Sequence, residues 1–257
     1  MPEKVEILNI KINRVNMQEA EKIVCEFIDA DLSGKIVVTP NSEMVVRAQT
    51  DRELAEILND ADLAIPDGAG IVLASHILPT KIITERVAGF DLMGRLFSVA
   101  TNRDYSIYLL GGEPGIVHRA KKKITSQHPD INICGLHHGY LDRRKQREVI
   151  SEINSCAPDL LLVGMGVPLQ EKFLHNNIHK LNIGVGMTVG GSFDVWAGKS
   201  QRAPVWMQKA YLEWFYRLLK EPSRLSRMIA LPRFVVLVFF AALRRWGGFS
   251  ENEADNK

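Results

Sequence analysis

Thr39-Pro40-Asn41, Pro66-Asp67-Gly68-Ala69-Gly70 and Glu85-Arg86-Val87-Ala88-Gly89 decide how this chain is read. The first segment follows the apolar run Ile36-Val37-Val38 and the second follows Leu63-Ala64-Ile65, while the third is itself strand-like before its glycine. In an open α/β sheet, ligands sit just beyond the carboxyl ends of the strands. These tips therefore deliver a hydroxyl, an amide, a carboxylate and an arginine to one sheet edge. That set suits a sugar and a phosphate better than it suits a structural turn.

Outward from this stretch, short apolar runs alternate with helical periods. The pattern predicts strands at 5–12, 36–39, 63–65, 106–110, 131–134, 160–164 and 183–189. Helices are expected at 17–30, 43–58, 69–76, 89–100, 114–127, 142–156 and 169–179. Apolar runs of strand length between helices of ten or more residues specify an α/β fold, a mainly parallel sheet with helices on both faces. Past Gly190-Gly191 the strands stop. Pro204 opens a helix to about 220, Glu221-Pro222 interrupts it, and Pro232 is expected to break the next one. The domain reading is a catalytic body at 1–198, an all-helical appendage at 199–249 and a disordered acidic tail at 250–257.

Charge divides along the same line. The 257 residues carry a net +2, but residues 199–249 hold ten Lys or Arg against two Glu. That leaves the body mildly acidic and the arm basic, an asymmetry that bears on partners. The arm also holds ten of the nineteen aromatic residues. The longest apolar run, residues 234–243, is half the roughly 20 residues a spanning helix needs. Met1-Pro2-Glu3-Lys4-Val5 has no signal-peptide core. Cys25, Cys134 and Cys156 make no paired framework, and read as reduced cysteines of a cytosolic protein.

Each candidate site residue has a plainer reading beside the chemical one. Asp67 lies in good turn chemistry, yet a carboxylate between an apolar strand and a glycine-assisted helix start can face a ligand as a general base. Asn41 or Ser42 can cap the following helix, and Thr39 stands at the same strand end. Arg86 offers a planar fork suited to a diphosphate, against a surface ion pair. Gly111 and Gly112 follow a strand and open a helix, a setting for phosphate. They do not form GxGxxG and no ribose-binding acid follows, which argues against a dinucleotide. Gln170, after Gly164-Met165-Gly166, can reach a sugar hydroxyl, and Gly190-Gly191 forms a third strand-to-helix turn.

Metal signals are poor. His175 and His179 lack a third ligand, and Asp29-Ala30-Asp31 and Asp60-Ala61-Asp62 precede strands, on the wrong sheet edge. In the arm, Arg217, Arg224 and Arg227 stand at spacings that place them near one face if helical order persists across Pro222. Arg233, Arg244, Arg245 and Trp246 bracket the apolar run, the pattern of a segment lying in a membrane surface. Docking on the protein's own core or on a second subunit is the competing reading. Nucleic acid is a poorer account, because the helix between the charges is apolar.

Thr39-Pro40-Asn41, Pro66-Asp67-Gly68, Glu85-Arg86-Val87-Ala88-Gly89, Leu110-Gly111-Gly112 and Gly166-Val167-Pro168-Leu169-Gln170-Glu171 stand in an order that resembles the WecG/TagA/CpsF glycosyltransferase family. Ala88 departs from the threonine more usual in that family. The resemblance implies an inverting transferase with a single Rossmann-like domain (GT-E), no metal or other cofactor, and attachment to the cytoplasmic face of the cell membrane. TagA-like members move N-acetylmannosamine from its UDP donor to the 4-hydroxyl of GlcNAc on undecaprenyl diphosphate, for wall teichoic acid; relatives use other sugars, such as a uronic acid, for common antigen or capsule. By the same resemblance Asp67 is the base, Thr39 and Asn41 its neighbours, and Gln170 a sugar contact. Arg86, Arg217, Arg224 and Arg227 are diphosphate ligands. A nucleotide-dependent oxidoreductase or epimerase and a non-catalytic scaffold are the competing classes.

Overall fold

The computed structural model describes residues 1–30, 34–220 and 229–247. Eight strands are present among them: β1 (Lys4–Ile7), β2 (Ile10–Asn13), β3 (Lys35–Val38), β4 (Leu63–Ala64), β5 (Ser106–Gly111), β6 (Asn132–His137), β7 (Leu160–Gly164) and β8 (Val185–Thr188). β1 and β2 form an antiparallel hairpin, and the other six make one all-parallel sheet in the order β4-β3-β8-β7-β5-β6. The predicted α/β class is borne out.

Twelve helices are described: α1 (Met17–Asp29), α2 (Ser42–Ala48), α3 (Arg52–Asp60), α4 (Ala69–Ile77), α5 (Gly89–Arg103), α6 (Ile116–Gln127), α7 (Arg143–Cys156), α8 (Leu169–Asn177), α9 (Ser192–Trp196), α10 (Val205–Lys209), α11 (Glu213–Lys220) and α12 (Ala230–Gly247). One apolar cluster packs α1, α5, α6 and α9 on one face of the sheet. A second packs α2, α3, α4, α7, α8 and the hairpin on the other. Because the apolar residues of a buried parallel strand face both ways, β7 is buried at all five of its positions.

Several elements differ from the sequence reading. The strand expected at 5–12 is a hairpin, turned at Leu8 (φ +51) and Asn9 (φ +66). Asparagine tolerates the left-handed region; leucine there carries no turn signal. The single helix expected at 43–58 is α2 and α3, since the Asp51 side chain accepts from Leu54 N and starts a new helix. Residues 85–88 are not a strand: they form an extended loop, with Val87 fully buried, that leads into α5 at Gly89. His175 lies in α8 and His179 in a following 3-10 turn (Ile178–Lys180), so the two do not share one helix. The helix from Pro204 divides into α10 and α11 at Tyr211 (φ +60). Pro232 does not break α12; it sits in the first turn, where its missing N–H has no intrahelical acceptor to lose.

The arm shares the core of the body. Phe234 and Val238 of α12 are buried in the cluster that holds α2 and α4. Full burial of such a side chain contributes roughly 1.5–3 kcal/mol. Gly70 permits the approach, since a Cβ there would lie 2.1 Å from Ser42 Oγ and 3.4 Å from the Phe234 ring. The other face of α12 leaves Val235, Val236, Phe239, Phe240 and Leu243 exposed, and Leu73 and Ile77 of α4 are exposed as well. No helix among the described residues is long and apolar enough to cross a membrane.

Connections leave β5 and β7 toward opposite faces, through α6 and α8, so a switch point opens between these neighbours. Gly111 (φ +153) stands there, and a Cβ on it would lie 2.3 Å from Gly164 O. Gly111→Ala is expected to push β5 from β7 and cost about 3 kcal/mol or more. Urea denaturation checks this, with wild-type stability as the contrary result.

Candidate active site

Backbone hydrogen bonds tie the three deciding segments together. Asp67 N donates to Pro40 O at 3.1 Å, joining the tips of β4 and β3, and Val87 N donates to Pro66 O at 3.0 Å. Side chains then pack across these ties. A Cβ on Gly89 would meet Thr39 Cγ2 at 2.9 Å and Asp67 Oδ2 at 3.5 Å. Thr39, Asn41, Asp67, Arg86 and Gln170 all line one cavity of about 270 Å³. Asn41 Oδ1 caps α2 by accepting from Met44 N at 3.0 Å. Its amide N–H groups can still donate to a ligand, and Oδ1 keeps a second lone pair.

Arg86 does not stand alone in the cavity. Its Nη2 donates to Glu213 Oε2 at 3.0 Å, and both side chains are largely buried. Arg202 completes the group: it grips Asp91 with both terminal nitrogens and lies over the Phe90 ring at 4.8 Å. Burial opposes the Arg202 charge, but Asp91, Glu213 and Asp67 outweigh it and raise its pKa above the ordinary arginine value. Arg202, Tyr211, Glu213, Trp214 and Leu231 all line the cavity, so residues from the arm form part of its wall.

Opposite them, Gln170 is buried and both ends of its amide are engaged. Its Oε1 accepts from Gly190 N at 3.0 Å, and its Nε2 donates to Glu171 Oε1 at 2.6 Å. This chain holds the Gly190-Gly191 turn against α8. Burial pushes the Glu171 carboxyl up to about 7. Among the described residues its Oε2 and the Thr188 hydroxyl have no hydrogen-bond partner, and this burial favours the neutral carboxyl more than water does.

A larger cleft, about 1120 Å³, lies beside the first and shares Gly190 and Gly191 with it. Gly112, Gly139, Tyr140, Gly164, Gly166 and Asp194 are among its walls. It covers the switch point between β5 and β7, where open α/β sheets bind ligands. The expectation that Gly111 and Gly112 cradle phosphate through their N–H groups is altered here. Gly112 N already donates to Gly164 O at 3.0 Å, and Gly111 supplies close strand approach.

The site thus joins three carboxylates (Glu43, Asp67 and Glu213) and two guanidinium groups in one cavity to a wide cleft at the sheet's switch point. A family model described as the glycosyl transferase WecG/TagA/CpsF family matches residues 5–248. The chain belongs to that family. The N-acetylglucosaminyldiphosphoundecaprenol N-acetyl-beta-D-mannosaminyltransferase of Bacillus subtilis (strain 168) is 36% identical over 212 residues, 82% of this chain and 81% of that protein. The protein of the same name from Staphylococcus aureus (strain MW2) is 33% identical over 233 residues, 90% of this chain and 91% of its own. Membership in the WecG/TagA/CpsF family makes the chain a glycosyltransferase, and the oxidoreductase reading falls. Ala88 is the N-cap of α5 and makes no side-chain capping bond.

Of the arginines expected in the arm, Arg217 lies on α11, and Arg224 and Arg227 fall outside the described residues. Among the described residues no three His, Cys, Asp or Glu converge as metal ligands. Asp62 instead pairs with Lys35 at 2.8 Å and accepts from Ile36 N, at the opposite end of the strands. Sequence reasoning missed Arg202 and Glu213. Glu213 is one of two acids in a segment with ten bases, and that isolation was the available signal.

Glu171 makes stability depend on pH. Its carboxyl is raised from 4.5 to about 7, so the folded protein keeps a proton that the unfolded chain has released between those values. Stability is therefore expected to fall as pH rises through this window, by about 3 kcal/mol. Glu171→Gln should flatten that slope in urea titrations at pH 5 and pH 8. An unchanged slope removes Glu171 as its source.

Proposed function

We propose that this protein transfers N-acetylmannosamine from UDP-N-acetylmannosamine to the 4-hydroxyl of GlcNAc on undecaprenyl diphosphate, with inversion. The product is the linkage disaccharide on which wall teichoic acid is built. The observation that carries this reading is Asp67 beside Arg86 in one cavity, at the carboxyl edge of a parallel sheet. Names of the relatives support the choice of sugar and acceptor.

The chemistry follows from these groups. Asp67 accepts the proton of the acceptor hydroxyl as that oxygen attacks the anomeric carbon. The bond to the donor phosphate breaks on the opposite face, and charge gathers on the departing UDP. Arg86 and Arg202 are fixed cations positioned to receive it, without reorganisation at the moment of reaction. The nucleotide occupies the larger cleft, where Tyr140 offers an exposed ring to a base. Its sugar reaches across Gly190-Gly191 toward Asp67, the two residues common to both cavities.

The acceptor's lipid stays in the bilayer, so the cavity must open toward it. Leu231 of α12 lines the cavity, and farther along the same helix Val235, Val236, Phe239, Phe240 and Leu243 are exposed. This face rests on the cytoplasmic membrane surface, with Arg233 and Arg244, both exposed, near anionic headgroups. Each such basic residue adds about 1 kcal/mol of attraction.

Incubation with a panel of UDP-sugars and a short-chain polyprenyl-diphosphate-GlcNAc tests the assignment. Added N-acetylhexosamine mass from UDP-N-acetylmannosamine alone is the expected result; another donor, or none, overturns it. Asp67→Asn should lower turnover about 10²–10⁴-fold while UDP binding by calorimetry persists, and wild-type turnover would remove Asp67 as the base. Phe239→Ser with Phe240→Ser should weaken sedimentation with phosphatidylglycerol vesicles while UDP binding is retained. Unchanged sedimentation would detach α12 from the membrane.

A further inference from the structure

We propose that Glu213 holds the place of the substrate's diphosphate between Arg86 and Arg202, and that Arg202 is the second guanidinium of that anion site. The proposal rests on the glycosyltransferase reading above and assigns the residues that receive its charged group.

The two oxygens of Glu213 address different arginines. Oε2 accepts from Arg86 Nη2 at 3.0 Å, and Oε1 lies 3.7 Å from Arg202 Nε. One anion bridging two guanidinium groups is the arrangement by which the oxygens of a diphosphate are held. The three side chains are 15%, 11% and 18% exposed for Arg86, Glu213 and Arg202, so water screens the contact little. All three face the cavity that contains Asp67.

The two arms of the bridge are unequal. Arg202 is anchored on its far side by Asp91 and the Phe90 ring. Its buried Nε has no hydrogen-bond partner among the described residues, because 3.7 Å to Glu213 Oε1 exceeds hydrogen-bond reach. A buried charged donor left in this condition is costly. A phosphate oxygen can sit closer to it than the carboxylate does, and that difference favours exchange of one anion for the other.

Charge argues for exchange rather than addition. Arg202 pairs with Asp91 and, with Arg86, shares the cavity with Glu43, Asp67 and Glu213, so among these named groups carboxylates outnumber guanidinium groups before any substrate arrives. Withdrawal of Glu213 lessens the repulsion that an incoming diphosphate meets there. Glu213 is placed to withdraw: it begins α11, two residues after Tyr211, whose φ of +60 is rare for a bulky residue. Rotation at that joint carries Glu213 away and leaves Arg86 and Arg202 in the cavity, on segments held to the body by Val87 and Asp91. A clamp that merely orients Arg86 has the opposite consequence, since its loss weakens anion binding.

Calorimetric titration of the full chain with inorganic pyrophosphate, in EDTA, separates the two. Glu213→Gln and Glu213→Ala are measured side by side, so that a folding defect in one leaves the other to decide. Each is expected to bind pyrophosphate about tenfold more tightly than wild type. Adding Arg202→Gln to either should abolish the gain. Affinity equal to or below wild type in the folded single variants overturns the proposal, as does a gain that survives loss of Arg202. Sugar transfer by the wild-type protein is assayed in parallel: absence of transfer with tightened pyrophosphate binding counts against the proposed reaction, and transfer without tightening counts against Glu213 alone.

Discussion

Six parallel strands must all finish at the same edge of their sheet, and everything chemical in this protein follows from that edge. Parallel pairing needs a crossover after each strand, so each carboxyl end opens into a loop on the same side. Here the loops after β3 and β4 are bonded to each other through Asp67 N and Pro40 O, and the segment before α5 is bonded to them through Val87 N. Residues far apart in the chain become neighbours because their backbones share hydrogen bonds. Their side chains then face a common cavity.

The arm meets two demands with one helix. Phe234 and Val238 anchor α12 in the core, while Val235, Val236, Phe239, Phe240 and Leu243 stay exposed. An apolar surface on a helix already docked requires something to cover it, and a lipid surface fits the basic residues at its ends. The competing readings of this helix, core and membrane, were posed as alternatives from sequence. The geometry divides the helix between them by face: the core side is observed, and the membrane side is the proposal.

Electrostatics at the site are more balanced than the net charge of the arm suggests. Arg86 and Arg202 are each matched by carboxylates, and Glu171 sits where burial favours its neutral form. Under the proposed reaction, with an anionic donor and an anionic product, the site benefits from cations that are present but occupied. Unpaired guanidinium groups would hold the product as firmly as they bind the substrate.

The order of elements, the parallel sheet and the polar tips at Thr39, Asp67 and Arg86 were legible in the chain because apolar periodicity and turn chemistry are local properties. Pro232 misled, since a proline's effect depends on whether it falls in the first turn, and that position is set by where α12 docks. The hairpin at Leu8-Asn9 was hidden because its leading turn residue has no preference for the left-handed region. Arg202 and Glu213 carried no local motif at all. Their meaning arises from a contact between segments more than a hundred residues apart, Arg86 with Glu213 and Asp91 with Arg202. Sequence alone determined which groups wait at the sheet edge; only the tertiary structure decided which of them are paired, because ion pairing depends on distance and burial across the fold.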